Sequence, residues 1–409
     1  MCKKSIYGMV IGLVIVGLWL GFQGRGEAAP PFKIGHINIL TGPHAPYGED
    51  TVAGIQVATE EINAKGGIQG RPIEILQRDD KGSPEIGLRG AKELVLTEKV
   101  DCLIGGGTSS SASAISGFAK ENKIMYLIPI SQSEHITGKN GHRYVFRITT
   151  NTHLYAYADS HAAAKLPITK WWLLNADYEY GHACYESFKV MMKNVKPDVE
   201  FVGEGWPKLG EADHTPFLMP IMASQATGLF STLAGGDFVK IVKIGQRIGL
   251  FKKLTALGHD WGCINTYYPL GKEMPEGIWG GTQYEFWRHK DNPRSDRLYQ
   301  GVAKKQKLPP GLGAASGYEA VWAIARAAAK AGSTDTEKLI DALEGIKLDT
   351  VVGPVTIRKF DHQATWPLFF GQTTLSPDYA YPILKDTIKF QDEGYPTEED
   401  IRKARGQAK

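Results

Sequence analysis

Segments with the pattern of β-strands alternate along this chain with segments of helical pattern, and no other feature of the sequence restricts the fold as much. The first helical segment carries Ile55, Ala58 and Ile62 at helical spacing and ends at two glycines. Strand-like runs lie at 33–40, 73–77, 100–104 and 125–128, and helix-like segments lie at 52–65, after Ser83-Pro84, and at 112–121. Such alternation favours a parallel sheet covered by helices on both faces.

The same pattern restarts after Thr149, which indicates a second unit of similar design. Its strand-like runs are 171–175, 200–204, 228–232 and 254–257, and its helix-like segments are 182–194 and 238–249. Later helical segments at 294–307, 314–331 and 335–346 are expected to cover the first unit. A length of 409 residues is also too great for one core. We therefore predict an α/β fold of two Rossmann-like lobes with mainly parallel sheets.

The N-terminus has the pattern of a secretory signal peptide. Lys3 and Lys4 precede an uncharged, largely apolar stretch at 5–24, and small residues at 26–30 offer a cleavage site. This order predicts that 1–29 is a signal peptide and that the protein is periplasmic. The alternative is an uncleaved membrane anchor, because the apolar run is almost long enough to span a bilayer.

Charge and cysteine content restrict the partners and the covalent chemistry. The net charge is only +3, so nothing favours nucleic acid or a charged membrane surface. Three cysteines follow the predicted signal peptide, and an odd number leaves at least one free thiol. Cys102 lies in an apolar run and is expected to be buried. Cys184 and Cys263 could form a disulfide.

A loop rich in glycine and serine, 105–111, follows the strand-like run 100–104 and precedes a helix. Ligands of open parallel sheets bind beyond the carboxyl ends of strands, where such loops enter helices. Glycines let backbone N–H groups approach a ligand, the helix offers its positive end, and Ser109 and Ser110 add hydroxyl donors. The alternative is an ordinary turn in which a serine only caps the helix.

The sequence lacks the patterns that would indicate catalysis or a cofactor. A dinucleotide fingerprint would need glycine at Ser110, and no phosphate-binding Gly-Lys-Ser/Thr is present. There is also no Gly-x-Ser-x-Gly or His-Glu-x-x-His pattern. We therefore predict no cofactor, no metal and no enzymatic activity.

Residues suited to binding a small molecule are concentrated in other loops that follow strands. They are Tyr47, Ser131, Gln132, Ser133, Asp177, Tyr178, Tyr180, Asp260 and Trp261. Each alone is typical of a surface turn, but their shared position in the predicted topology places them at one cleft.

Several motifs resemble those of the type I periplasmic binding proteins, in particular the leucine/isoleucine/valine-binding type. They are GHINILTGPHAPYGEDTVAGIQVATEEINAKGGIQGRPIEILQRDD (35–80), IGGGTSSSASA (104–114), YEYG (178–181) and DTVVGPVTIRKFDHQ (349–363). The resemblance implies two lobes joined by a hinge of three crossings. It places 30–150 plus 283–370 in lobe 1, and 151–282 plus 371–409 in lobe 2.

The resemblance also implies roles for individual residues. Ser109 matches the serine that binds the ligand carboxylate, and Asp260 matches the acid that pairs with the ligand ammonium. The predicted ligand-binding residues are Tyr47, Ser109, Ser110, Ile130, Ser131, Gln132, Tyr180 and Asp260. Gln132 stands where amino-acid binders usually have threonine, and Ala234 stands where a tyrosine is expected. The segment 229–237 resembles the branch that binds urea and short amides, so a branched-chain amino acid is in doubt.

These features predict an extracytoplasmic, monomeric substrate-binding protein of an ABC importer. It would capture an amino acid, amide or carboxylate between closing lobes and present it to a membrane permease. One alternative is an exported sensor of the same fold that signals to a partner. The other is an exported hydrolase, for which the sequence shows no nucleophile paired with a base.

Overall fold

The first lobe is built on a five-stranded sheet in which every strand is parallel to its neighbours. The computed structural model describes residues 29–407. The strands are β1 (Phe32–Asn38), β2 (Ile73–Asp79), β3 (Cys102–Gly105), β4 (Tyr126–Ile128) and β5 (Val145–Arg147), in the order β2-β1-β3-β4-β5. The helices between them are α1 (Ala45–Asn63), α2 (Pro84–Lys92) and α3 (Ser109–Glu121).

Successive side chains of these strands face opposite layers of helices. Ile34 and Ile104 belong to one core cluster with residues of α1, whereas Ile37 and Leu103 belong to another with residues of α2 and α3. The strands are therefore apolar on both faces, as expected of a parallel sheet covered by helices.

Two helix starts show how local sequence sets the boundaries. Ser83 accepts a hydrogen bond from the Ile86 N–H and caps α2, as its sequence predicts. The segment 41–48 was expected to be a loop, but α1 already begins at Ala45. Pro46 is in the first turn, where a missing N–H has no cost.

The second lobe contains a seven-stranded sheet in the order β14-β13-β10-β9-β8-β6-β7. Its first part comprises α4 (Thr152–Ala164), β6 (Lys170–Leu174), α5 (Glu179–Val195), β7 (Glu200–Gly205), α6 (Thr215–Ala223), β8 (Gly228–Ser231), α7 (Gly235–Ile248), α8 (Leu250–Lys253), β9 (Thr255–Gly258), α9 (Ile264–Tyr267) and β10 (Trp279–Thr282). Strands β6 to β10 pair in parallel.

The chain then returns to the first lobe and later adds two strands to the second sheet. The returning elements are α10 (Pro293–Gln306), α11 (Leu312–Ala331), α12 (Thr336–Leu343), β11 (Lys347–Thr350) and β12 (Gly353–Thr356). Strands β13 (Leu368–Thr374) and β14 (Ile383–Phe390) follow, both antiparallel to their neighbours. The fold is thus α/β with two lobes and mainly parallel sheets, which confirms the predicted fold class.

Helix α11 completes the first lobe by packing closely on α1. A Cβ atom on Gly54 of α1 would lie 2.0 Å from the carbonyl oxygen of Ala314. Asp50, also on α1, accepts hydrogen bonds from the N–H groups of Gly311 and Ala314 at 3.1 and 2.9 Å. A carboxylate from one helix therefore satisfies the N-terminus of the other.

Three of the passages of the chain between the lobes lie side by side, and hydrogen bonds join them. Gln283 donates to the Thr150 hydroxyl at 2.8 Å, and Gln363 donates to the Thr149 carbonyl at 2.6 Å. The Trp366 indole N–H donates to the Gln283 carbonyl at 3.0 Å. The three connections thus form one bonded unit.

The last helix, α13 (Glu398–Ala404), ends against the first lobe. Arg405, which follows it, donates hydrogen bonds to the carbonyls of Thr137 and Gly138, both at 2.9 Å. The range 371–409, which the sequence assigned to lobe 2, therefore contains strand β14 of the second sheet and a terminal segment bound to lobe 1.

Cys102, Cys184 and Cys263 are buried free thiols, so the suggested Cys184–Cys263 disulfide is not formed. No helix in residues 29–407 has the length and hydrophobicity needed to cross a membrane. The predicted signal peptide, 1–29, lies outside the described residues except for Ala29.

Candidate functional site

A cavity of about 50 Å³ lies between the lobes, at the carboxyl ends of the strands. Its lining residues from the first lobe are Ile39, His44, Tyr47, Gly107, Thr108, Ser109, Ile130, Ser131 and Gln132, and those from the second are Tyr178, Tyr180, Ala234 and Asp260. The volume is enough for a few water-sized groups. A guest in this closed cavity must therefore be small.

The N-terminus of α3 provides donors at one side of the cavity. Thr108 caps the helix by accepting a hydrogen bond from the Ser111 N–H at 3.2 Å, so the cap is not one of the proposed binding serines. The Ser109 hydroxyl oxygen accepts from the Ser133 N–H at 3.2 Å, which leaves its own O–H free to donate. First-turn N–H groups have no acceptor within the helix and favour a negatively charged or carbonyl oxygen.

Asp80 fixes the loop that leads into α3. Its carboxylate accepts hydrogen bonds from the Gly107 N–H at 2.9 Å and the Ser111 hydroxyl at 2.8 Å. A Cβ atom on Gly107 would lie 2.4 Å from the Ile39 nitrogen, so glycine is required for this close approach. The donors of α3 are thereby held in place before any ligand arrives.

Asp260 presents a buried carboxylate from the second lobe and is only 6% exposed. It accepts hydrogen bonds from the hydroxyl of Tyr155 and from the side-chain amide of Gln132, the latter at 3.3 Å. The Cys263 thiol lies 3.6 Å away. Burial raises the pKa of Asp260, and hydrogen bonds with the carboxylate oppose that rise. Among the described residues, no lysine or arginine forms an ion pair with Asp260.

Two polar atoms that belong to cavity-lining residues have no partner within the described part of the chain. They are the Tyr180 hydroxyl and the Gln132 side-chain oxygen, and both residues are buried, with 5% and 4% exposure. Buried polar groups are normally hydrogen-bonded, so a guest with complementary groups would satisfy them.

An apolar cluster forms the remaining wall. Its members Tyr47, Ile130 and Ala234 line the cavity, and its other members are Cys263 and Leu312. The Tyr47 hydroxyl bonds the Thr266 hydroxyl at 2.5 Å, so it is already engaged across the cleft. This wall can accept a short aliphatic portion of a guest.

The structure brings seven of the eight predicted ligand-binding residues to this cavity. The exception is Ser110, whose hydroxyl oxygen accepts a hydrogen bond from the Glu179 N–H at 3.4 Å and so bridges the lobes beside the cavity. Sequence reasoning missed His44, which lines the cavity, and Tyr155, which bonds Asp260. Ligand binding by any of these residues stays a prediction.

A Cys–His–Asp arrangement lies beneath the cavity but is closed to substrate. His259 is 3.5 Å from the Cys184 sulfur and 2.8 Å from an Asp159 oxygen, and all three residues have 0% exposure. Burial raises the pKa of the Cys184 thiol, which disfavours the nucleophilic thiolate. Among the described residues, no group of three or more potential ligands is placed to hold a metal ion.

Comparison with known proteins adds a family resemblance to this geometry. A family model described as periplasmic binding protein matches residues 31–377. The leucine-, isoleucine-, valine-, threonine-, and alanine-binding protein of Pseudomonas aeruginosa is 23% identical over 337 residues, covering 81% of this chain and 87% of that protein.

Solved structures show the same architecture. A periplasmic binding protein from Burkholderia mallei superposes with a TM-score of 0.83 at 25% identity, covering 91% of this chain and 98% of that one. A solute binding protein of an ABC transporter from Rhodopseudomonas palustris BisB5, in complex with 3,4-dihydroxy benzoic acid, has a TM-score of 0.78 at 22% identity, covering 88% and 97%.

Proposed function

Because this chain belongs to the periplasmic binding protein family, we propose that it is the substrate-binding component of an ABC importer. It captures a small polar ligand between its lobes and delivers it to a membrane permease. We further propose that it acts as an exported monomer in the periplasm and that it catalyses no reaction. The inaccessible thiol of Cys184 supports the last point.

The observation that carries the proposal is the buried carboxylate of Asp260 opposite the donors of α3. A carboxylate in a closed cleft is costly unless it is paired. No protein cation pairs with Asp260 among the described residues, so a ligand with an ammonium or other N–H group would supply the missing partner. Its oxygen would then lie toward Ser109 and the first turn of α3.

The same charge distribution argues against aromatic acids. The Rhodopseudomonas neighbour holds a dihydroxybenzoate, which has a carboxylate but no ammonium group. The Pseudomonas relative is named for amino acids, which have both. In this chain a benzoate would bring a second carboxylate into a small cavity with Asp260 and would have no ammonium group to offset the repulsion. An amino acid or a short amide therefore fits better than a benzoate.

Closure follows from the distribution of these groups over the two lobes. Ser109 and Gln132 lie on the first lobe, whereas Tyr180 and Asp260 lie on the second. Only the closed form contacts both ends of one ligand, so binding shifts the population toward closure. A micromolar Kd corresponds to about −8 kcal/mol, which a few charge-assisted hydrogen bonds and apolar contacts can supply.

Isothermal titration calorimetry with a matched panel tests the proposal. The panel is L-alanine, L-threonine, L-leucine, acetamide and urea, set against benzoate and 4-hydroxybenzoate. We expect binding by at least one compound with N–H groups and none by the benzoates. Asp260→Asn should weaken that binding at least tenfold, whereas Asp177→Asn, an exposed acid outside the cavity, should not. Binding by the benzoates alone would refute the proposed ligand class.

A further inference from the structure

Tyr155 belongs to helix α4 and does not line the cavity, yet its hydroxyl donates a hydrogen bond to the carboxylate of Asp260. Both residues are in the second lobe, so this bond does not depend on closure. Tyr155 is completely buried. Its phenol group is thus a fixed donor behind the acid that faces the ligand cavity.

Contacts on several sides hold the ring of Tyr155 in place. It stacks on the ring of His259 with a centroid distance of 3.9 Å. Asp159, one helical turn further along α4, lies 2.8 Å from the Nδ1 atom of His259. A Cβ atom on Gly281 of β10 would lie only 2.7 Å from the Tyr155 ring. Two residues of one helix therefore clamp the dipeptide His259-Asp260.

Apart from His44, which lines the same cavity and pairs with Asp237 at 3.4 Å, the titratable groups around Asp260 are one buried imidazole, thiols and phenols. They are His259, Cys184, Cys263, Tyr47, Tyr178 and Tyr180. Burial lowers the pKa of His259 to about 3, so this ring is neutral near pH 7. The remaining groups are thiols and phenols whose pKa values are raised by burial. Among the described residues, the side chains that stabilise an ionised Asp260 by hydrogen bonds are Tyr155, Gln132 and Cys263.

We propose that Tyr155 is the positioning residue that keeps the Asp260 carboxylate ionised and aimed at the cavity, and so determines selectivity for a ligand with an ammonium or N–H group. This inference rests on the proposed function, because it assigns Asp260 the role of ligand acceptor. A neutral Asp260 would instead present a donor and would lose its preference for cationic groups. The affinity for such ligands should then fall as the pH drops through the pKa of Asp260.

The test is a titration of Asp260 in the ligand-free protein by 13C NMR of its side-chain carboxyl. The signal is assigned by its absence in Asp260→Asn. Tyr155→Phe removes the donor but keeps the ring, so we expect the midpoint to rise by about one pH unit or more, which is a tenfold change in proton affinity. The matched control is Tyr185→Phe, which removes a tyrosine hydroxyl that donates to another carboxylate of the second lobe, that of Glu204 at 2.6 Å, and should leave the midpoint of Asp260 unchanged.

An equal midpoint in wild type and Tyr155→Phe would overturn the inference. A second measurement needs no variant of Tyr155: in the wild type, the Tyr155 Cζ signal should titrate with the same midpoint as Asp260. Independent behaviour of the two signals would also overturn it. The NMR titration is carried out without ligand. Equal midpoints would therefore not change the result of the ligand panel, and a lack of binding in the panel would not change the midpoints.

Discussion

The side-chain amide of Gln132 donates a hydrogen bond of 3.3 Å to Asp260, and this bond joins the two lobes across the ligand cavity. Gln132 lies in the loop after β4 and Asp260 in the loop after β9, so each comes from a different sheet. This contact can form only when the lobes are closed, so it favours the closed form.

We expect Gln132→Leu, which removes this donor at similar volume, to shift the ligand-free protein toward the open form. A single hydrogen bond to a charged group contributes about 1.5–3 kcal/mol, so the ratio of open to closed molecules should rise at least tenfold. Small-angle X-ray scattering measures the change as a larger radius of gyration. Gln77→Leu, at an exposed position of β2, serves as the control. Identical scattering from Gln132→Leu and wild type would contradict the prediction.

The close approach of α1 and α11 predicts different outcomes for two glycines in helices. Gly54→Ala would place a methyl group 2.0 Å from the Ala314 carbonyl oxygen and should lower the free energy of unfolding by about 1–3 kcal/mol. Gly117→Ala in α3 meets no atom within 4 Å and should raise it by about 0.5–1 kcal/mol. Urea denaturation measures the free energy of unfolding of both variants. Equal changes in the two would contradict the prediction.

Arg147, at the end of β5, is buried, and no acidic side chain within residues 29–407 is in hydrogen-bond contact with it. It donates to the Ser133 carbonyl at 2.6 Å and to the Gln363 side chain at 3.2 Å, so it connects the cavity loop with the hinge. Arg147→Met leaves the Ser133 carbonyl without this donor and should lower the free energy of unfolding by about 1–3 kcal/mol. Arg402→Met removes only an exposed ion pair with Glu398 and should cost less than about 1 kcal/mol. Chemical denaturation of both variants gives the comparison.

Glu285, beside the second crossing between the lobes, should make stability depend on pH. Burial raises its pKa from 4.5 to about 7, even though Arg288 donates to it at 2.6 Å. The folded protein therefore binds this proton more tightly than the unfolded chain, and stability falls as the pH rises from 4.5 to 7. The full effect is at most about 3 kcal/mol.

In Glu285→Gln this decline with rising pH should be reduced, as measured by unfolding at several pH values. The slope of the free energy of unfolding against pH is compared between wild type and variant over the same pH interval. If wild type and variant lose stability in parallel, another group is responsible for the pH dependence.

The fold class and the family predicted from the sequence are confirmed, but the antiparallel part of the second sheet was not foreseen. Strand β10 contains two consecutive glycines, which obscure a strand pattern. Strand β14 alternates weakly and is exposed along much of its length. Both are recognisable only through their pairing with neighbouring strands, which is a tertiary contact.

The sequence predicts those residues of the candidate site that follow the carboxyl ends of strands. Ser109, Gln132 and Asp260 all follow strands of the predicted sheets and meet at one cavity. Tyr155 could not be found in this way, because it lies inside a helix and reaches Asp260 from behind. His44 precedes a helix whose start was predicted too late.

The repeated passage of the chain between the lobes also governs the order in which each can be completed during synthesis. The sheet of the first lobe is finished at Arg147, but α11, which covers it, ends only at Ala331. The second sheet lacks its outer strands until Phe390 has been made. Neither lobe can therefore acquire its final packing from the first part of its own sequence: the first needs the chain as far as Ala331 and the second as far as Phe390.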